Sequence, residues 1–255
     1  MKRVPVKVLF PLAELATLLT FCANCGGGRV TLEYDHSPGA VIVEYRFGGG
    51  LSPVWDDDFP LFRLYGDGRV LSRRDPGWKS MVSEARLSEG DMARLLGEIR
   101  KTGFFGLKDE YVNREVLDAP GSSLTVRLDG KEKNVYVYMK DVAEYRKVVD
   151  LLRDFPLGRQ STYVPEKGYL VVTASGRGGV LPLPAGVAGE ILNAIAASGR
   201  LNEAAESGNP VEIKGSEFIV LKGAEVGRER PGLAVEVAGS VYEVYPVYHS
   251  RWRKH

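Results

Sequence analysis

Asp56-Asp57-Asp58, between Trp55 and Phe59, is the densest group of chemically capable side chains in the chain. A loop could turn two of these carboxylates toward Ca²⁺ or Mg²⁺, hard cations that take oxygen ligands. Direct adjacency lacks the alternating ligand spacing of a calcium loop. A hydrolytic acid and base would also need separation and distinct environments. A solvated acidic loop is the plainest reading, with a weak cation site and an acidic hydrolytic site as alternatives. The three histidines, His36 in "YDHSPG" and His249 and His255 at the C-terminal edge, read as surface residues. A metal between His36 and His249 would require the two ends of the domain to meet. Ser175 in "TASGRGG" lacks the Gly-x-Ser-x-Gly elbow of a hydrolase nucleophile, and Asp118, just before Pro120, reads as a turn-capping side chain. No metal and no cofactor is assigned.

Cys22 and Cys25 carry a different chemistry. Met1-Lys2-Arg3 and Lys7 make a basic start, and "VLFPLAELATLLTFCA" follows as an apolar run of about sixteen residues, interrupted by Pro11 and Glu14. That is shorter than the roughly 20 residues of a spanning helix, so residues 1–28 read as a signal-like leader and tether. Lipidation of Cys22 would need a small residue where Phe21 stands, and lipidation of Cys25 one where Asn24 stands. Lipid attachment, plain secretion and a retained, buried first helix in a cytoplasmic protein are the three readings. Redox use of Cys-x-x-Cys is disfavoured by Gly26-Gly27-Gly28, which cannot supply the helix that lowers a thiol pKa.

Aromatic residues form the next candidate group. Tyr136, Tyr138, Tyr242 and Tyr245 lie in strand-like segments, and alternation puts Tyr136 and Tyr138 on one face. Packing in or around the core is the plain reading, and a protein-recognition patch the functional one. Lys and Arg together number 34 against 33 for Asp and Glu, so no global field draws the chain to nucleic acid. The basic end, Arg251, Arg253 and Lys254, reads as a solvated tail.

The elements that must position these residues are strands and amphipathic helices. "GAVIVEYRF" reads as a strand, and "LFRLYGDGRVLSRR" as a hairpin turning at Gly66-Asp67-Gly68; a phosphate loop would need a helix to start at once. "LSEGDMARLLGEIRKTG" predicts a helix capped by Ser88 and closed by Gly103. "SLTVRLDGKEKNVYVYM" predicts a second hairpin around Asp129-Gly130, followed by a helix from Val142 to a stop at Pro156. "PLGRQSTYVPEKG" reads as a connector between halves 29–160 and 161–255. Beyond it lie a strand, "YLVVTAS", a helix ending at Gly199, and two expected hairpins, "VEIKGSEFIVLKG" and "LAVEVAGSVYEVYPVY". The expected class is α+β, antiparallel sheets with helices on one face.

The halves echo each other. Gly68-Arg69-Val70-Leu71 corresponds to Gly178-Gly179-Val180-Leu181, and Pro120-Gly121 to Pro231-Gly232; Val70 to Pro120 spans 50 residues and Val180 to Pro231 spans 51. That order predicts a divergent duplicated β-α-β-β unit, with the second half as the repeat.

"RLYGDGRVL", "RLSEGDMARLLGEIRKTGFFGL" and "DAPGSSLTVRLDGKEKNVYVY" together resemble uncharacterised bacterial, mainly actinobacterial, exported or lipoprotein-like proteins, over roughly residues 40–155. The resemblance implies an exported domain and brings no activity with it. The leading expectation is a non-enzymatic binding or structural domain at the cell envelope, membrane-associated through an N-terminal lipid or simply exported. Its partner would be a protein or envelope component. A hydrolase with an acidic site and a cytoplasmic protein-interaction domain are the alternatives.

Overall fold

The computed structural model describes residues 32–48, 59–75, 80–174, 186–226, 232–237 and 240–248. β1 (Val41–Gly48) pairs with β2 (Phe62–Tyr65), and β2 turns through Gly66-Asp67-Gly68 into β3 (Arg69–Ser72), as alternation around the glycines predicts. β4 (Ser83–Arg86) pairs with β3 and leads into α1 (Glu89–Lys101). Ser88 Oγ accepts the Asp91 N–H at 3.1 Å, and Met92, Leu95, Leu96 and Ile99 are buried. Gly103 follows in the left-handed region at φ 84°, and a single 3₁₀ turn, Phe104–Gly106, drops Phe104 into the core.

β5 (Glu110–Val112) precedes the hairpin of β6 (Gly121–Leu128) and β7 (Lys131–Tyr138). Asp129 and Gly130 have φ of 54° and 69°, the two left-handed positions of a two-residue turn that matches strand twist. α2 (Ala143–Asp154) then buries Tyr145, Val148 and Leu152, while β8 (Ser161–Thr162), within the connector, adds to the edge beside β4. The first sheet runs β5-β7-β6-β1-β2-β3-β4-β8. It is mixed rather than purely antiparallel, because β5 lies parallel to β7. α1 and α2 share one core with its strand residues Val43, Leu64, Val70 and Leu124.

The second sheet runs β10-β9-β12-β11, all antiparallel: β9 (Lys167–Ala174), β10 (Val211–Lys214), β11 (Leu233–Val237) and β12 (Ser240–Val247). α3 (Val187–Ala197), α4 (Arg200–Ser207) and α5 (Gly215–Glu225) contribute Leu192, Leu201 and Phe218 to a core with Leu170, Val172 and Val244 of this sheet. The segment expected as a hairpin, "VEIKGSEFIVLKG", is instead β10 followed by α5. Glu217 accepts the Lys214 N–H at 3.2 Å across the helix start, and the 3–4 spacing of Phe218, Leu221, Lys222 and Glu225 buries one helical face.

The class is therefore α+β with mixed pairing and several helices. A duplicated β-α-β-β unit is not established. Both Pro-Gly positions precede hairpins, but the first joins its sheet through the leading strand, β6 on β1, and the second through the trailing strand, β12 on β9. α4, β10 and α5 stand in the second half where the first has a 3₁₀ turn and β5. The second glycine turn, 178–181, lies outside the described residues.

Candidate functional site

Several sequence candidates, Asp56, Asp57, Asp58, Cys22, Cys25, Ser175, His249 and His255, lie outside the described residues. His36 is exposed, its ring 4.1 Å from that of Tyr34. Asp118 is exposed at φ 60° in the loop before β6. Tyr136 and Tyr138 project from the same face of β7: Tyr136 is 37% exposed, and the Tyr138 hydroxyl accepts the Ala119 N–H at 3.0 Å. Tyr242 and Tyr245 leave β12 on opposite faces. Tyr242 packs on the second core, whereas Tyr245 joins Val171 and Val247 on the reverse side and donates to Glu243. Burial and the Glu243 carboxylate push the Tyr245 phenol pKa up. The structure thus pairs the tyrosines two by sheet and does not gather all four on one strand face.

Among the described residues, one feature with the shape of a ligand site is a cleft of about 700 Å³ where the sheet extends past the C-terminal half of α2. Its floor is one cross-strand row: Tyr45 opposes Phe62, Phe62 opposes Ser72, and Ser72 opposes Ser83. Direct partners share a face, so four strands set these side chains side by side. Leu152, Phe155 and Leu157 form the opposite, apolar wall, and Val226 after α5 reaches its margin. Ser80 Oγ donates to the Asp75 carbonyl at 2.6 Å and accepts the Asp75 N–H at 3.1 Å, tying off the loop at the rim.

Three arginines line the cleft in different states. Arg73 is 7% exposed and donates to the Phe59 carbonyl. Arg153 is held by Asp150 at 2.7 Å and by Asp154 at 3.1 Å. Arg74 is exposed and makes no ion pair among the described residues. Burial raises the Tyr45 pKa, with the Ser122 hydroxyl and Arg153 opposing it. Burial also raises Tyr145, whose hydroxyl donates to Ser122 Oγ at 2.9 Å. Both phenols stay protonated at neutral pH and act as hydrogen-bonding groups rather than bases. This site was not singled out from the sequence. Its signal was the polar run Ser72-Arg73-Arg74-Asp75 leaving a strand, but only cross-strand register and the end of α2 bring that run to an apolar wall.

Two other charged groups serve different ends. On the opposite face of the first sheet, Glu44 accepts from Arg46 Nε at 2.6 Å and from Arg63 Nε at 2.5 Å. Burial works to raise its pKa, but these two guanidiniums hold it below the ordinary value. In α5, Lys222 and Glu225 are each 1% exposed and meet at 2.9 Å. Lys222 also donates to the Pro246 carbonyl, and Glu225 accepts the Gly232 N–H, so the pair clamps α5 to β12 and to the lead-in of β11. Among the described residues no group of three or more metal-ligating side chains converges, and no helix is long and apolar enough to cross a membrane. No protein-family profile, curated protein or solved structure matches the chain.

Proposed function

We propose that this protein is an exported or lipid-tethered, non-enzymatic binding domain acting at the cell envelope, and that the cleft beneath α2 is its ligand site. The observation that carries the reading is the cleft itself: a concave surface of about 700 Å³ with an apolar wall and a few convergent polar groups. The basic and apolar leader, residues 1–28, supports export, and Cys22 or Cys25 would carry the lipid. Residues 29–160 would form the first α+β half, which lines most of the cleft, and residues 161–255 the second, which reaches its margin through Val226. Fractionation of cells expressing the full chain, with mass spectrometry of the mature N-terminus, tests export. Recovery outside the cytoplasm with the leader removed is expected, and Cys22→Ala and Cys25→Ala made separately identify the lipidated residue. Cytosolic protein with an intact leader overturns the envelope reading.

A further inference from the structure

We infer that the cleft beneath α2 takes an amphipathic monoanion, a carboxylate carried on an aliphatic or aromatic body, an inference that rests on the cleft being a ligand site. Its two sides ask for different chemistry in one molecule. Leu152, Phe155 and Leu157 on one side and Phe62 on the other offer apolar contact, which rewards a hydrocarbon body by removing its surface from water. At the rim, Arg74 presents an exposed guanidinium next to the Asp75 carboxylate, and Arg153 lies beside it.

The arginines are not equivalent. Arg153 already has Asp150 and Asp154, so its charge is largely compensated, and Arg73 is turned inward to the Phe59 carbonyl. Arg74 is committed to no carboxylate among the described residues, and its planar fork suits bidentate carboxylate recognition. Ser72 and Ser83, adjacent across β3 and β4, supply neutral hydroxyls on the same floor. A neutral hydrocarbon would leave Arg74 unused, and a cation would find no partner in it. A cleft of about 700 Å³ lies within the range that encloses a small organic ligand.

Calorimetric titration of the full mature chain with octanoate and with 1-octanol tests the inference. Octanoate should bind saturably and more tightly than octanol by about tenfold, with an affinity that falls as salt rises. Arg74→Ala, at an exposed position, should remove most of that difference while leaving octanol binding unchanged. Leu157→Trp, which fills the apolar wall, should weaken both. Equal binding of the two probes, or octanoate binding untouched by Arg74→Ala, overturns the anion assignment but leaves a cleft that binds apolar ligands. Binding indifferent to Leu157→Trp, or no binding of either probe, overturns the cleft as the site. The envelope reading stands or falls separately on fractionation.

Discussion

Gly66 is where the hairpin between β2 and β3 meets the segment leading into β1. Its N–H donates to the Ala40 carbonyl at 2.8 Å, and a Cβ there would stand 2.0 Å from the Asp35 carbonyl oxygen. Gly68, at φ 83°, would bring a Cβ to 2.6 Å from the Leu87 carbonyl oxygen. Gly66-Asp67-Gly68 is therefore a turn wedged between two passing backbones, and Asp67 secures it by accepting from Arg69 N–H and Arg86. Gly66→Ala should destabilise the domain by about 1–3 kcal/mol through forced backbone displacement. Calorimetry should show Asp67→Ala costing less, because its contacts lie nearer water. Glu44 yields a pH prediction. Its carboxyl is depressed in the folded state, so its stabilisation is complete above the ordinary value of 4.5 and is lost as pH falls below that. Melting curves of the wild type should drop through this acidic window, and Glu44→Gln should be less stable at neutral pH with a shallower acid-side drop.

At the scale of elements, α5 depends on a buried ion pair. Neither Lys222 nor Glu225 can reach water, so their value lies in completeness: Lys222 reaches Glu225 and Pro246, and Glu225 reaches Gly232. Lys222→Met leaves an uncompensated buried carboxylate and should cost about 3–5 kcal/mol. Lys222→Met combined with Glu225→Gln should recover part of that loss, since the amide can still accept from Gly232. Denaturant midpoints of the single and double variants check this, and a double variant weaker than the single would show the pair has no such coupling. α5 also shows why its segment misled a reading by alternation. "EFIVL" offers apolar residues compatible with a strand, and the choice of helix rests on the Glu217 cap and on Gly168, where a Cβ would come 2.3 Å from the Phe218 side chain.

At the scale of the molecule, the described residues from Leu32 onward belong to one compact unit, and side chains of both sheets share a core. Phe59, Leu71 and Val82 from the first half pack in the same cluster as Leu170 and Phe218 from the second. Tyr248 is the pivot: its ring lies 5.0 Å from Phe59 and 4.6 Å from Phe218, and its hydroxyl accepts the Val82 N–H at 3.0 Å. Tyr248→Phe keeps the ring but strands a buried N–H, which should cost about 1–3 kcal/mol. Because the cluster is shared, the wild type should unfold in one calorimetric transition. Two separated transitions would show that the halves fold independently.

Local chemistry alone determined the elements whose signals are local. Ser88 capping α1, Gly103 ending it and Asp129-Gly130 turning β6 into β7 each act within a few residues, so neighbouring residue types suffice to read them. The α+β class followed from the same periodicities. Tertiary structure decided whatever depends on partners far along the chain. β5 is parallel to β7 and β8 closes on β4, pairings that short polar segments do not announce. The matched Pro-Gly spacings described two hairpins correctly in order, yet which strand of each joins its sheet is set by burial against β1 or β9. The cleft was invisible for the same reason. Tyr45, Phe62, Ser72 and Ser83 become neighbours only through register across four strands, and Arg74 gains an apolar counterpart only when α2 ends above them.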